Sequence, residues 1–401
     1  HNTMHFRHAK EKRDPHSLKY RGWQVFVTVA IFWIVVSIIP VYNKVVFSGV
    51  AGDQGFPYPL TTTCFQLGFC SLTLTVLSTI RHSCGLQRKG SSWVCDNRFW
   101  YKARATSRIG ILFGLKFGIT NWGLHVLKLA PHLLLQSTDL MWTVLFAHLI
   151  NREKIDFKEA LCCIGSITGT MLIAYRTHQE VPEMFPLFIN LISPILLGLC
   201  VSELRRAARL LLIEENRPEG KVPHMDAFEL TAFKLWISTI VVLPFAYYFE
   251  VLIVDPMNSL NLCGETSVLI RLQQQSLGLT FAAIGGGFLI LIFQVNVTWL
   301  CRLTSAVSVG IVGGVKVIPQ WLIAVALSQS IDLSLYNILG ALILLGSSIL
   351  WTKLKYGSIE TNVKSMQLNS EQLQRSALLP SSETHSNNSY GSISPDHLTN
   401  A

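Results

Sequence analysis

The chain has 401 residues, of which 50% are hydrophobic and only 14% charged, with a mean hydropathy of +0.39 and a formal net charge of +9. Soluble domains carry nearer a quarter charged residues, so this balance excludes an ordinary soluble enzyme and points to a membrane protein. The positive charge does not announce a nucleic-acid partner, because the basic residues gather in the links between apolar runs, where orientation in a bilayer would place them.

A membrane-spanning helix needs about 20 apolar residues. After a basic segment at 1–22, runs that meet this length lie near 23–47, 58–80, 108–129, 131–150 and 157–175. A second five lie near 186–204, 228–249, 277–299, 305–328 and 333–352. The expected fold is therefore an all-α membrane protein with ten transmembrane helices, forming one transporter domain over 23–352. From 353 to 401 the chain turns to Ser, Asn, Gln and Glu, a composition that predicts a disordered cytosolic tail.

Charge in the links predicts orientation. Arg7, Lys10, Lys12, Arg13, Lys19 and Arg21 precede the first run, and Arg81, Arg88, Lys89, Arg98, Lys102 and Arg104 follow the second. Further basic links carry Arg152, Lys154 and Lys158, then Arg205, Arg206, Arg209, Arg217 and Lys221, then Arg302, then Lys353 and Lys355. The alternate links hold Asp53, Glu180, Glu183, Asp255, Glu265 and Asp332, with Lys128, Arg176 and Arg271 as isolated exceptions. A basic excess on every second link predicts both termini in the cytosol.

Ile155-Asp156-Phe157 precedes an apolar helix with Gly165 and Gly169, and Ile331-Asp332-Leu333 precedes one with Gly340 and Gly346. By the charge rule the two copies face opposite sides, which is the pattern of a 5+5 inverted repeat and suits a transporter. The nine cysteines form no CxxC pair and no metal-ligand spacing, so neither a disulfide framework, a metal site nor a cofactor is expected.

Charges deep in an apolar run are costly and normally face a partner or a water-filled cavity. Lys316 lies about 16 Å from either end of the ninth run by helix rise and has no other charge within Ser305–Leu327. Asp139 is equally deep in the fourth run, where it could pair with Lys316, take up a proton or meet a hydroxyl. Lys116 and Lys234 lie about two turns in, so snorkelling to the interface competes with a binding role. Gly310, Gly313 and Gly314 precede Lys316 and would allow close approach of a ligand or helix. His125, His132 and His148 are candidates for proton coupling, and Trp142, Trp299 and Trp321 for base stacking.

These residues resemble the triose-phosphate and nucleotide-sugar transporter family. The resemblance rests on Tyr42-Asn43-Lys44 with Phe56-Pro57-Tyr58-Pro59-Leu60, on Thr120-Asn121-Trp122, and on the run from Thr304 to Lys316. It implies a drug/metabolite-transporter-like fold with alternating access, in which Lys316 matches a lysine that contacts substrate phosphate. It also marks Asn121 as a site residue and Asn43 and Lys44 as structural or gating residues. Val317 stands where sugar-phosphate members have arginine, and Gln136 where members often have lysine. The resemblance thus favours an antiporter that exchanges a nucleotide-sugar for a nucleoside monophosphate in the Golgi or endoplasmic reticulum membrane. Its partners would be a small anionic substrate and the lipid bilayer, with homodimer formation left open. A sugar-phosphate or other metabolite carrier, proton-coupled through Asp139, is the nearest alternative. A non-transporting scaffold or sorting receptor is another, and Tyr356–Ile359 and Tyr390–Ile393 match Tyr-x-x-apolar signals for endosomal sorting. No HExxH, GxSxG or paired acidic ligands speak for an enzyme.

Overall fold

A computed structural model describes residues 15–49, 55–84, 99–126, 132, 135–136, 138–153, 155–175, 184–212, 225–252, 267–274, 277–316, 318–320, 322–323, 335–351 and 353–354. Trp321, Ile331, Asp332 and the 355–401 stretch with its tyrosine motifs lie outside the described residues. The chain divides into two units, His1–Trp351 and Thr352–Ala401, and every helix named below belongs to the first.

The helices are α1 (Pro15–Ser48), α2 (Pro59–Ser83), α3 (Phe99–Val126), α4 (Asp139–Asn151), α5 (Phe157–Tyr175) and α6 (Met184–Ala207). They continue with α7 (Ala227–Tyr247), the short α8 (Val268–Gln274), α9 (Leu277–Leu303), α10 (Ala306–Val315) and α11 (Leu335–Trp351). Among the described residues there is no strand. Among the described residues, five helices are long and apolar enough to cross a membrane: Trp23–Ser48, Pro59–Ser83, Phe188–Leu212, Ala227–Leu252 and Leu277–Leu303. This is the architecture of an all-α membrane protein.

The outside of the bundle is apolar and the inside carries the polar side chains. On α9, Leu277, Phe281, Phe288 and Ile292 are exposed, and on α7, Trp236, Ile240, Leu243 and Tyr247. Both sets follow i, i+4, i+7 or i+11 spacing, one stripe of a 3.6-residue helix. Asn43, Gln66, Asn121, Asn190 and Gln294 point the other way and are buried. In a bilayer that inversion is stable, because lipid covers the apolar stripe while interior groups such as Asn43, Gln66 and Asn121 hydrogen-bond one another.

Local signals explain several helix ends. Gly49 follows Ser48 with φ 78° and donates its N–H to the Val45 carbonyl, a left-handed stop that a glycine makes without strain. Asp226 and Glu229 form a capping box that starts α7. Ser305 interrupts α9 and α10 by accepting from the Ser308 N–H.

Three antiparallel helix pairs organise the interior. At one end of α2 and α7, Glu250 accepts from the Leu60 and Thr61 N–H groups, each at 2.7 Å. At the other end Arg81 and Asp226 pair at 3.0 Å. For α4 and α10, Glu153 accepts from the Ala306 and Val307 N–H groups at one end and Asp139 meets Lys316 at the other. In the third pair, a Cβ on Gly165 would meet Ser347 Oγ of α11, and one on Gly169 would meet the Gly340 carbonyl at 2.7 Å. Around these pairs α3 packs on α6 and α7, while α9 packs on α1 and α2.

Lys102 departs from the expected topology of links. It lies inside α3, which starts at Phe99 rather than near 108, and is buried against Glu229 at 2.5 Å. Arg205 is likewise within α6 and donates to the Cys301 and Arg302 carbonyls at the end of α9.

Candidate functional site

α10 ends at Val315 with a turn at Lys316, and α4 begins only at Asp139 after a turn at Thr138. Asp139 is the first residue of α4 and Lys316 follows α10, with the Gln320 N–H donating to the Lys316 carbonyl at 3.1 Å. They then meet: Lys316 Nζ donates to Asp139 Oδ2, and both side chains are buried. The second oxygen, Asp139 Oδ1, is buried without a hydrogen-bond partner.

A cavity of about 100 Å³ opens beside this pair. Its walls come from α1, α3, α4, α6, α9 and α10, together with His132, Gln136 and Gln320. Five of the six candidate binding residues line it: Lys316, Asp139, Gln136, Asn121 and Lys116. Lys116 is 8% exposed, does not reach the end of its helix, and places its ammonium 4.4 Å from the Phe117 ring centroid. Among the described residues it pairs with no carboxylate.

Lys234 is the exception. It is fully buried on α7 outside the cavity wall, where its ammonium lies 4.4 Å from the Phe113 ring centroid and 3.3 Å from Thr298 Oγ1. Phe113 and Phe117 themselves line the cavity and stack at 6.0 Å. Two lysines thus sit over neighbouring phenylalanines, held by ring faces instead of acids.

A polar network joins the helices around the cavity, partly through its own lining residues. Asn43 donates to Asn121 Oδ1 at 3.1 Å, Asn121 donates to Thr63 Oγ1 at 2.8 Å, and Gln66 donates to Asn43 Oδ1 at 2.9 Å. Gln136 donates to Ser193 Oγ at 2.9 Å, and His132 Nδ1 lies 2.6 Å from Asn190 Oδ1. Lys44 stands apart from the cavity and donates to the Leu124 and His125 carbonyls, closing the end of α3.

The glycines divide by role. A Cβ on Gly310 would meet Thr143 Cγ2 at 2.9 Å, so this glycine lets α10 approach α4. Gly313 lines the cavity with nothing within 4 Å of such a Cβ, so it leaves room, and Gly314 has only Leu140 at 3.9 Å. Trp142 and Trp299 do not line the cavity. His148 is near Glu153 and His125 stacks edge-on against Phe47, both away from it.

Phe113, Phe117 and Thr143 also line the cavity and were not singled out from sequence, and His132, considered there only for proton coupling, lines it too. Gln66 and Asn190 were equally missed. Each is a polar residue within an apolar run, a signal that could have found them.

No family model and no curated protein matches the chain. Among solved structures, 26 chains match. One, described only as "Crystal structure of protein", superposes with a TM-score of 0.51 at 11% identity, covering 84% of this chain and 97% of its own. At that identity the likeness concerns the fold alone.

Proposed function

We propose that this chain is a membrane carrier for a phosphorylated organic anion, in the first instance a nucleotide-sugar exchanged for a nucleoside monophosphate. The observation that carries the reading is Lys116. Its buried ammonium faces the central cavity with no carboxylate of its own, beside a Lys316 held by one oxygen of Asp139. A buried unpaired cation is costly unless a partner arrives, and a phosphate supplies one. The resemblance to the triose-phosphate and nucleotide-sugar transporter family, through Tyr42–Lys44, Thr120–Trp122 and Thr304–Lys316, supports the same substrate class and a Golgi or endoplasmic reticulum location.

Ten spans in a 5+5 inverted repeat belong to this reading. Each of the ten apolar runs contains a helix, α8 being the short addition. Exchanging α1–α5 with α6, α7, α9, α10 and α11 in order turns the contact of α3 with α7 into that of α9 with α2. It also turns α3 with α6 into α9 with α1 and leaves the three antiparallel pairs as they are, whereas the close α4–α6 packing has only a slight counterpart between α10 and α1. A cavity of about 100 Å³ is smaller than the roughly 300–1,000 Å³ usual for ligand sites. The proposed carrier must therefore widen to admit substrate, which alternating access provides.

The unpartnered Asp139 Oδ1 favours a second reading, a metabolite carrier in which this carboxylate takes up a proton. Flux in proteoliposomes tests both. Preloaded nucleoside monophosphate should accelerate uptake of labelled nucleotide-sugar, and Lys116→Gln should reduce that uptake at least tenfold. Absence of uptake for every phosphorylated solute would overturn the carrier reading. If uptake instead follows an imposed pH gradient, and Asp139→Asn flattens its pH profile, the proton-coupled reading stands.

A further inference from the structure

Where α3 begins and α6 ends, arginines gather on the outside of the bundle, and none of them lines the central cavity. Arg104 and Arg108 stand one turn apart on α3, while Arg206 lies in the last turn of α6 with Arg209 just beyond it. All four are exposed, the Arg108 side chain to 71% and that of Arg206 to 48%. Glu203 of α6 stands between the two helices. Its Oε1 lies 3.6 Å from Arg108 and 3.9 Å from Arg206, so one carboxylate serves two guanidinium groups.

From this cluster we infer that the seam between α3 and α6 binds an anionic phospholipid through a phosphomonoester headgroup, in the leaflet on the side of the basic links. The inference rests on the membrane reading of the fold and not on what the central cavity carries.

Basic links by themselves orient a chain and need no ligand. Arg108 does not belong to a link. It lies about 14 Å along α3 from Phe99 by helix rise, and Ile111, one turn further in, is exposed beside it. Tyr101 and Leu210 are exposed around the same cluster, which gives acyl chains an apolar surface to run along. A charge against lipid is costly unless it is paired or reaches the interface. Glu203 can neutralise one of its two arginines, and at 3.6 and 3.9 Å neither contact is short enough for a hydrogen bond.

A phosphate would complete this arrangement. The guanidinium group is planar, always charged and takes phosphate oxygens two at a time. A phosphomonoester carries close to two negative charges at pH 7 and three acceptor oxygens, enough to join Arg108 to Arg206 while Arg104 sits one turn nearer the start of α3. Basic pockets between helices attract anionic headgroups in this way. A zwitterionic headgroup brings its own cation and fits the cluster less well.

The test is a thermal-shift titration of the purified full-length protein in detergent with phosphatidic acid, phosphatidylserine or phosphatidylcholine. Lipid that binds the folded state raises its melting temperature by mass action. Phosphatidic acid should raise it most and phosphatidylcholine least. The double variant Arg108→Lys/Arg206→Lys keeps the net charge but removes the planar forks. It should weaken the apparent affinity for phosphatidic acid roughly tenfold, the factor for losing one charge-assisted hydrogen bond. Lys158→Gln, at an exposed charge on α5, should leave that affinity unchanged. Glycerol 3-phosphate, the same headgroup without tails, should give no shift that depends on these arginines. Equal shifts from all three lipids, or none from any, would overturn the site, as would a double variant that responds as wild type does. An arginine-dependent shift from glycerol 3-phosphate as large as that from phosphatidic acid would assign the seam to soluble phosphates and overturn the lipid.

Discussion

Lys316 and Asp139 are two residues that gain their meaning from each other. Either alone in a bilayer-depth cavity would be a liability, and removing one member of a buried pair typically costs about 3–5 kcal/mol because the other is stranded. Lys316→Ala should therefore lower the melting temperature, and adding Asp139→Asn should restore most of the loss. Transport should behave otherwise. If Lys316 holds the substrate, exchange stays lost in both the single and the double variant, despite the recovered fold. Recovery of exchange together with stability in the double variant would assign Lys316 a structural role only. Lys316 and Asp139 were legible in the sequence because each interrupts a long apolar run. The inward aim of Lys116 was not legible, since snorkelling and cavity-facing lysines share the same spacing. What separates them is Phe117 and the walls brought by five other helices, and no local pattern encodes those.

At the scale of the element, carboxylates from distant helices do the work of N-caps. Tyr58 precedes α2 without a side-chain cap, and Pro59 removes one of the free N–H groups. Glu250, 190 residues further along from Leu60, supplies both oxygens to the next two N–H groups at 2.7 Å. Glu153 does the same for α10 at 3.2 and 3.5 Å. Charge-assisted hydrogen bonds of this kind contribute about 1.5–3 kcal/mol each in favourable geometry. Glu250→Gln should thus depress the melting temperature clearly, and Glu153→Gln should depress it less, in keeping with its longer contacts. Thermal melts of the two variants check the order, and equal or absent effects would contradict the cap assignment. The apolar runs predicted where helices would lie because burying a backbone in lipid requires an apolar stretch of that length. They did not predict that α3 would begin at Phe99. Lys102 reads as a link residue until Glu229 is placed beside it, and that neutralisation comes from tertiary structure 127 residues away.

For the molecule as a whole, the proposed 5+5 inverted repeat carries a prediction about sidedness. α2 and α7 run antiparallel, clasped by Glu250 at one end and by Arg81 with Asp226 at the other. α4 and α10 run antiparallel too, clasped by Glu153 and by the Asp139–Lys316 pair. In an inverted repeat these helices are equivalent partners, so each must enter the membrane from the side opposite to its mate. Small epitope tags inserted near Arg88 and near Asn216 should then be accessible from the same side, the one that basic links predict to be cytosolic. Tags inserted near Asp53 and near Asp255 should both be accessible only from the other side. Selective permeabilisation of cells distinguishes the two sets, with a cytosolic marker as control. A tag near Asp255 reachable together with one near Arg88 would place both ends of α7 on one side. The α2–α7 clasp could not then belong to a membrane-crossing pair, and alternating access between two equivalent halves would lose its structural basis.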